Sequence, residues 1–579
     1  MRHFHFSKYP IPELLILVVF MLMINLKVGK TYPYIKADGI GYYDYLPSIF
    51  IRHDLTRKNQ LLINNPEFYK TIQKKGVYVH YHGYLVDKYP VGTAVLQSPF
   101  FLITYLTTPL QGSPEDGYQK PFQHAVLYAT LFYLFLGIFF LRKILEMYNV
   151  RRGIIIFIEF LAVFGTAITN YANYDASFSH IYSFFAINAF MYFCLKYFKR
   201  KDITYFLTAC FFFGLILIIR NINVLILLFI PFLAGSFKQL KQVVQDILRK
   251  PKMFLFGILI IIAVISIQSW VWFEQTGSYL IYSYQGEGFN FSHPEILNIL
   301  FSYKKGLFVY TPVLIFSIPE VFRLFIKHDY YRALTWSFFF LIITYIFSSW
   351  HSWDYGASYG SRVYIDYYGV FFILIAILIN KVPRYLQAGI IVLSTLTVPV
   401  NLVQTYQYKN FILHWTDMTC ERYWEVFLKT GKQYNGLLWK INFNPNNFTC
   451  VKKVTLGDIN KNASETPLVI YKTTSRSIPD FNKVEIIQIL FKNRFSGKNK
   501  SKINVRIADS ASQKTEYCYD TYLIHFSQKG LNKEHRGFQC YKFNPLTDGK
   551  TKITTVSLYA PEQENTLKNF TIKFLKPVD

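Results

Sequence analysis

The chain has 579 residues, of which 52% are hydrophobic, 19% aromatic and only 17% charged, with a mean hydropathy of +0.19 and a formal net charge of +27. A soluble globular protein carries about a quarter charged residues, so a wholly soluble chain is excluded. The excess of lysine and arginine falls in short clusters between apolar stretches and no nucleic-acid motif accompanies it, so no nucleic-acid partner is expected.

Apolar stretches of roughly 17–22 residues recur along the chain and predict a polytopic α-helical membrane protein. The first, Ile11–Leu26, follows Arg2 and Lys8 as a signal peptide would, but Lys27-Val28-Gly29-Lys30 stands where a small-x-small cleavage site belongs. It is read as a retained signal anchor. Counting 11–28, spans are expected near 122–141, 153–171, 178–195, 203–219, 222–236, 253–272, 307–325, 333–349, 366–380 and 385–403, about eleven in all. Basic clusters at Arg142/Lys143/Arg151/Arg152, Lys196/Lys199/Arg200/Lys201, Lys238/Lys241/Arg249/Lys250/Lys252, Lys327/Arg332 and Lys381/Arg384 occupy alternate loops. The positive-inside rule puts them, and the N-terminus, in the cytoplasm. An odd number of spans leaves the C-terminal part outside. The apolar segment 91–110 would invert this pattern if it crossed, so it is read as a helix lying on or dipping into the outer face.

On this threading the polar chemistry faces outward. The long first outer loop, 29–121, holds Asp38, Asp44, His80, His82, Asp87 and Lys88. Later outer loops add Asp175 and His180, then Arg220, then Glu287, His293, Lys304 and Lys305, and finally the run from Trp350 to Arg362 and Asp366. After about residue 404 the long apolar runs stop. Short alternating segments with Gly, Asn, Pro and Asp turns predict a β-sandwich-like domain over 450–579, joined to the membrane part (1–403) by an aromatic interfacial linker, 404–449. Cys420, Cys450, Cys518 and Cys540 fall in this part with no C-x-x-C spacing, so a zinc site is not expected. Disulfides are compatible with an extracytoplasmic location, with no pairing legible from the sequence.

Asp38 opens the run Asp38-Gly39-Ile40-Gly41-Tyr42-Tyr43 just beyond the first span. A carboxylate there serves either as a helix cap or as a base, and the glycines allow close backbone approach. Tyr42 and Tyr43 supply sugar-binding surfaces. Lys88, in Asp87-Lys88-Tyr89-Pro90, offers a point charge suited to phosphate. Arg220 and Arg362 stand at the edge of hydrocarbon, where an arginine is costly without a partner. For Arg362 the bland alternative is an ion pair with Asp366 one helical turn on. His180 and Glu287 are weaker candidates for substrate binding.

These residues together resemble the GT-C superfamily of membrane glycosyltransferases that use polyprenyl-phosphate-linked sugars, which includes protein O-mannosyltransferases and aminoarabinose transferases. The resemblance covers roughly 10–403. It implies that Asp38 is the catalytic acid residue, that Lys88 contacts the donor phosphate and that Arg362 lies near the donor. The chain departs from it with Asp38-Gly39 in place of Asp-Glu and Lys88-Tyr89-Pro90 in place of Lys-Pro-Pro. The paired acidic motif of the second outer loop is absent, so no metal ligands are assigned and a divalent cation is left open as cofactor.

The expected function is therefore transfer of a sugar from a polyprenyl-phosphate donor to a cell-envelope glycan, lipid or protein, at the outer face of the cytoplasmic membrane and with inversion. A flippase of lipid-linked sugars is the alternative from another class. A glycan polymerase or ligase is the third reading.

Overall fold

The computed structural model describes residues 10–25, 33–56, 77–108, 116–416, 418–431, 434, 438, 448–462, 464–494, 501–513, 515–522, 534–542, 546, 549–560 and 565–578. The chain divides into two compact units, one of residues 1–405 with 415–419, the other of 406–414 with 420–579.

The first unit is helical. Among the described residues six helices are long and apolar enough to cross a membrane: Lys120–Met147, His180–Arg200, Pro251–Thr276, Tyr330–Ser348, Arg362–Lys381 and Arg384–Lys409. A seventh is added if Asn221–Ala234 and Phe237–Leu248, bent by 118° to one another, count as one span. The chain is a multi-pass membrane protein. The expected eleven spans are not reached by this measure, because several of those stretches are short or interrupted. The stretch 153–171 leaves regular helix after Phe164, at Gly165. The stretch 307–325 is divided into Leu307–Tyr310, a 3-10 turn at Pro312–Ser317 and a helix at Ile318–Ile326, with Pro312 and Pro319 unable to donate to a continuous ladder. Ile11–Leu22 and Ile203–Ile219 are apolar but shorter. Gly92–Thr107, within the segment read as a surface helix, is 16 residues long.

Burial distinguishes these spans. The most apolar window of 362–381 is 94% buried, against 22% for 251–276 and 17% for 384–409. The span headed by Arg362 is thus the hub of the bundle, and the other two present aliphatic faces outward, as lipid-facing helices do.

One end of this unit gathers the basic loops. Lys199 Nζ donates to the Met147 carbonyl at 3.1 Å, Arg151 reaches Asn380 and Gln387, and Lys201 pairs with Asp246 at 2.9 Å. Near it, Arg142, fully buried, pairs with Glu13 at 2.5 Å and draws helix Ile11–Asn25 onto 120–147. The opposite end gathers the polar loop residues described below.

Among the described residues the second unit contains two antiparallel four-stranded sheets. Its strands are β3 (Phe448–Lys461), β4 (Ser464–Thr474), β5 (Ile486–Arg494), β6 (Lys502–Asp509), β7 (Thr515–Tyr522), β8 (Glu534–Lys542), β9 (Lys552–Ala560) and β10 (Asn565–Pro577), β1 and β2 being the hairpin Tyr78–Tyr81 and Tyr84–Asp87 of the first unit. The orders are β3-β10-β5-β8 and β4-β9-β6-β7. Ile487, Ile489, Phe570 and Ile572 of the first sheet share one apolar cluster with Ile503, Val505 and Val556 of the second, so alternate residues of both sheets bury a common core. Cys420 and Cys450 carry free, exposed thiols. The side chains of Cys518 and Cys540 lie outside the described residues.

Candidate functional site

Asp38 is the first residue of a helix, Asp38–Phe50, and not part of an open loop. Ala37 before it sits at φ 47°, ψ −132°, a backbone region that disfavours a Cβ and costs of order 1–3 kcal/mol. The turn aims Asp38 at the positive end of its own helix, where a carboxylate is stabilised. The glycines that follow meet protein, not open space. A Cβ on Gly39 would lie 1.8 Å from Ser177 Oγ, and one on Gly41 would lie 2.3 Å from the Tyr89 ring. They let the helix press against the 174–179 turn and the Asp87–Tyr89 segment.

The Asp38 carboxylate pairs with Arg362, Oδ2 to Nη1 at 2.6 Å. Burial pushes its pKa up, but the Arg362 charge, a hydrogen bond from Tyr89 and the Lys88 charge outweigh burial and hold it below the ordinary aspartate value. Asp38 is therefore an anion at neutral pH. It remains partly open, with 27% of its side chain exposed. The Arg362 guanidinium also lies over the Phe178 ring, 5.4 Å from its centroid.

Lys88 is carried in by the β1–β2 hairpin and held by the start of helix Gly92–Thr107. A Cβ on Gly92 would stand 2.5 Å from the Ile218 backbone, so this helix abuts the end of 203–219 that leads into Arg220. The ammonium of Lys88 is paired with the Glu287 carboxylate, and Ser283 Oγ donates to the Lys88 carbonyl at 2.8 Å.

Arg220 has a different partner. Asp366, fully buried, takes His180 Nδ1 at 2.8 Å on one oxygen. On the other it takes Asn223 Nδ2 at 2.8 Å and Arg220 Nε at 3.5 Å. The guanidinium lies against the His180 ring, 3.0 and 3.3 Å from its two nitrogens. A buried carboxylate needs this number of donors. Asp366 is thus committed to Arg220 and His180, and the bland alternative of an Arg362–Asp366 pair is not met: Arg362 pairs with Asp38.

Tyrosines close the site. Tyr42 and Tyr89 have ring centroids 4.7 Å apart, and Tyr284 meets Tyr89 edge-on at 6.5 Å. Their phenols are pushed above the usual tyrosine range by burial first, with the Asp38 charge adding to it. They stay protonated as donors. Tyr43 is directed elsewhere: it is fully buried and donates to the Gly117 carbonyl at 2.5 Å. Asp44 is tied to Arg52 at 2.7 Å and to Tyr118 and Tyr78, and Asp175 to Lys36 at 3.2 Å.

On a further wall, Lys304 pairs with Asp354 at 2.5 Å. The buried Lys305 ammonium donates to the carbonyls of Ser358 and, at 2.5 Å, Trp415. Burial pushes the Lys305 pKa down to about 7.

The structure therefore brings together Asp38, Lys88, Arg220, Arg362, His180, Glu287 and Tyr42, and leaves Tyr43 apart. Sequence reasoning gave no role to Tyr89, Tyr284 or Asn223. Tyr89 was signalled by its place beside Lys88, whereas Tyr284 has no signal in the sequence. Among the described residues no group of three His, Cys, Asp or Glu side chains could hold a metal ion.

No protein-family model matches the chain, and no curated protein matches its sequence. Among solved structures it is similar to an archaeal oligosaccharyltransferase, AglB of Archaeoglobus fulgidus, in complex with an inhibitory peptide and a dolichol-phosphate. That match has 11% identity and a TM-score of 0.37, over 70% of this chain and 56% of that one. It is also similar to the A. fulgidus oligosaccharyltransferase in the apo form, with 11% identity and a TM-score of 0.39, over 75% and 58% of the two chains. A third likeness is to the arabinosyltransferase EmbB of Mycobacterium smegmatis, with 9% identity and a TM-score of 0.33, over 98% and 68%. The chain spans less than two thirds of the length of the two archaeal chains. At these scores the likenesses carry no argument about activity.

Proposed function

We propose that this chain is a membrane glycosyltransferase that moves one sugar from a polyprenyl-phosphate donor to a hydroxyl of a cell-envelope glycan, lipid or protein. The observation that supports this most is the placement of one partly open, ionised carboxylate, Asp38, between two cations, Arg362 and Lys88, at the head of the most buried span. Glycosyl transfer from a lipid phosphate needs that combination: an anion for the incoming hydroxyl, cations for the departing phosphate and an apolar scaffold for the lipid.

In the proposed reaction the acceptor oxygen attacks the anomeric carbon, its proton passes to Asp38, and the bond from that carbon to the phosphate oxygen breaks. The electron pair leaves on the phosphate, and a single displacement inverts the anomer. Asp38 is a weak base because Arg362 holds its pKa down. It therefore orients the hydroxyl first and accepts the proton as the new bond forms, an effect typically worth ~10²–10⁴-fold. Lys88 and Arg362, with Arg220 and His180 behind them, bind the phosphate and stabilise its growing charge. Glu287 is paired with Lys88 and Asp38 with Arg362, so an entering phosphate competes with both carboxylates. Tyr42, Tyr89 and Tyr284 offer aromatic faces and phenol donors to the sugar.

The basic loops that share one end of the helical unit support the proposed orientation, with that end and the N-terminus cytoplasmic. The site and the C-terminal unit are then extracytoplasmic.

The test is transfer by the purified full chain in vesicles, offered a panel of synthetic polyprenyl-phosphate sugars and an envelope extract. The expected result is a new glycosidic product. Movement of lipid-linked sugar across the vesicle membrane with no product would replace this reading with a flippase.

A further inference from the structure

Strands β3, β10 and β5 lie side by side, and their register sets lysines opposite one another. Lys573 of β10 faces Lys453 of β3, and Lys568 of β10 faces Lys492 of β5. Arg536 of β8 takes the register position across from Lys492. The face is fixed by alternation. Leu567, Ile572 and Phe574 of β10 and Phe491 of β5 point into the core, so the lysines between them point outward. Lys453 and Lys568 are exposed, and Lys492 and Lys573 half-buried.

Like charges directly opposite on a ladder destabilise a sheet. Two other lysines in this unit are compensated by carboxylates: Lys576 pairs with Asp480 at 2.8 Å and Lys552 with Asp509 at 3.6 Å. Lys453, Lys492 and Lys573 have no such partner among the described residues. Asp458, the carboxylate on β3, accepts the Asn569 N–H at 2.9 Å. The surrounding field is positive as well, since residues 450–579 hold 22 Lys and Arg against 12 Asp and Glu. Such a field draws anions to the surface.

We propose that the outer face of the β3-β10-β5-β8 sheet binds an acidic glycan, a hydrated polymer whose anionic groups recur along its length. Lys573 and Lys568 are five residues apart on β10, about 16 Å at the rise of a strand. Two lysine rows at that separation are too far apart to be bridged by one small anion, whereas a polymer with recurring charges reaches both. A membrane surface is the less fitting partner. Peripheral binding to lipid uses protruding apolar side chains beside the cations, and no large apolar side chain of β3, β5 or β10 is exposed among the described residues. This inference is independent of the chemistry at Asp38.

The test uses the full chain in nanodiscs of zwitterionic lipid, presented to immobilised polygalacturonate, neutral dextran and phosphatidylglycerol vesicles. The wild type is expected to bind polygalacturonate, more weakly as salt rises, and to ignore dextran. The Lys453→Thr, Lys492→Thr, Lys573→Thr triple variant should lose about tenfold or more in affinity while its melting temperature stays level or rises, because the cross-strand repulsion is gone. The Lys→Arg triple variant should retain binding. Unchanged binding by the Thr variant, or no binding by the wild type at low salt, would overturn the proposal. Binding to vesicles but not to polygalacturonate would overturn it in favour of a membrane partner.

Discussion

Arg362 donates to Asp38 at 2.6 Å, joining the head of the most buried span to the first residue of helix Asp38–Phe50. The pair fixes the charge state of the carboxylate. A folded-state pKa below the ordinary value means that Asp38 ionisation favours folding above the unfolded pKa of ~3.9, an advantage lost as pH falls through the lower folded value. In activity, the acid limb due to Asp38 should lie below the usual aspartate range. Arg362→Ala removes the largest of the effects that lower this pKa, so its acid limb should move to higher pH. The pH dependence of kcat/KM measures this, and identical acid limbs would show that Arg362 does not set the charge of Asp38.

Lys88 and Glu287 make opposite predictions. Lys88→Ala removes a phosphate contact present before and during transfer, so KM should rise and kcat fall. Glu287→Gln removes the carboxylate that competes for Lys88, so KM for the lipid donor should fall severalfold. A Glu287→Gln variant with a raised donor KM would mean that Glu287 binds substrate directly and is not a competitor.

Lys305 gives a stability prediction. Its pKa is lowered to about 7 by burial, against ~10.4 in the unfolded chain. Between those values the unfolded state binds more protons, so this residue's cost to folding is full below pH 7 and fades toward pH 10. Lys305→Met should therefore raise the melting temperature more at pH 6 than at pH 9. Thermal unfolding in detergent at the two pH values checks this. An equal shift at both would place the Lys305 pKa outside that window.

Gly92 and Gly389 form a matched pair. A Cβ at Gly92 meets the Ile218 and Ile219 backbone at 2.5–2.6 Å, which cannot give way, whereas at Gly389 nothing lies within 4 Å. Gly389→Ala should be neutral or stabilise helix Arg384–Lys409 by up to ~1 kcal/mol. Gly92→Ala should displace Lys88 and lower both melting temperature and activity. Unchanged melting of Gly92→Ala would mean that the two helices are not in contact there.

Arg220 and Arg362 stand out in the sequence because charge at the edge of hydrocarbon is costly, whereas Asp38 and Lys88 stand out as a carboxylate followed by glycines and a lysine suited to phosphate in one long loop. Their pairing was not legible. Arg362 and Asp366 are four apart, a spacing that meets on an α-helix, but residues 362–367 form a 3-10 helix of three residues per turn. Asp366 turns instead to His180 and Arg220. In the sequence Tyr42 and Tyr43 stand as equivalent neighbours of a loop. In a helix they point about 100° apart, so that only Tyr42 faces Asp38. The helical character of the spans was legible from hydropathy, but their interruptions at Gly165 and Pro312 depend on local backbone geometry that apolar content does not reveal.

The central claim is that Asp38 takes part in sugar transfer, and Asp38→Asn tests it most directly. The amide keeps the size of the side chain and can still accept from Arg362, but it has no negative charge to receive a proton. Purified variant and wild type would be compared for product formation from the same polyprenyl-phosphate sugar, with expression, melting temperature and donor binding measured in parallel. The account predicts a folded protein with a lower melting temperature because the charge paired with Arg362 is lost, donor binding equal to or tighter than wild type because Arg362 is less neutralised, and transfer reduced by ~10²-fold or more. Transfer at near the wild-type rate by a well-folded Asp38→Asn protein would contradict it.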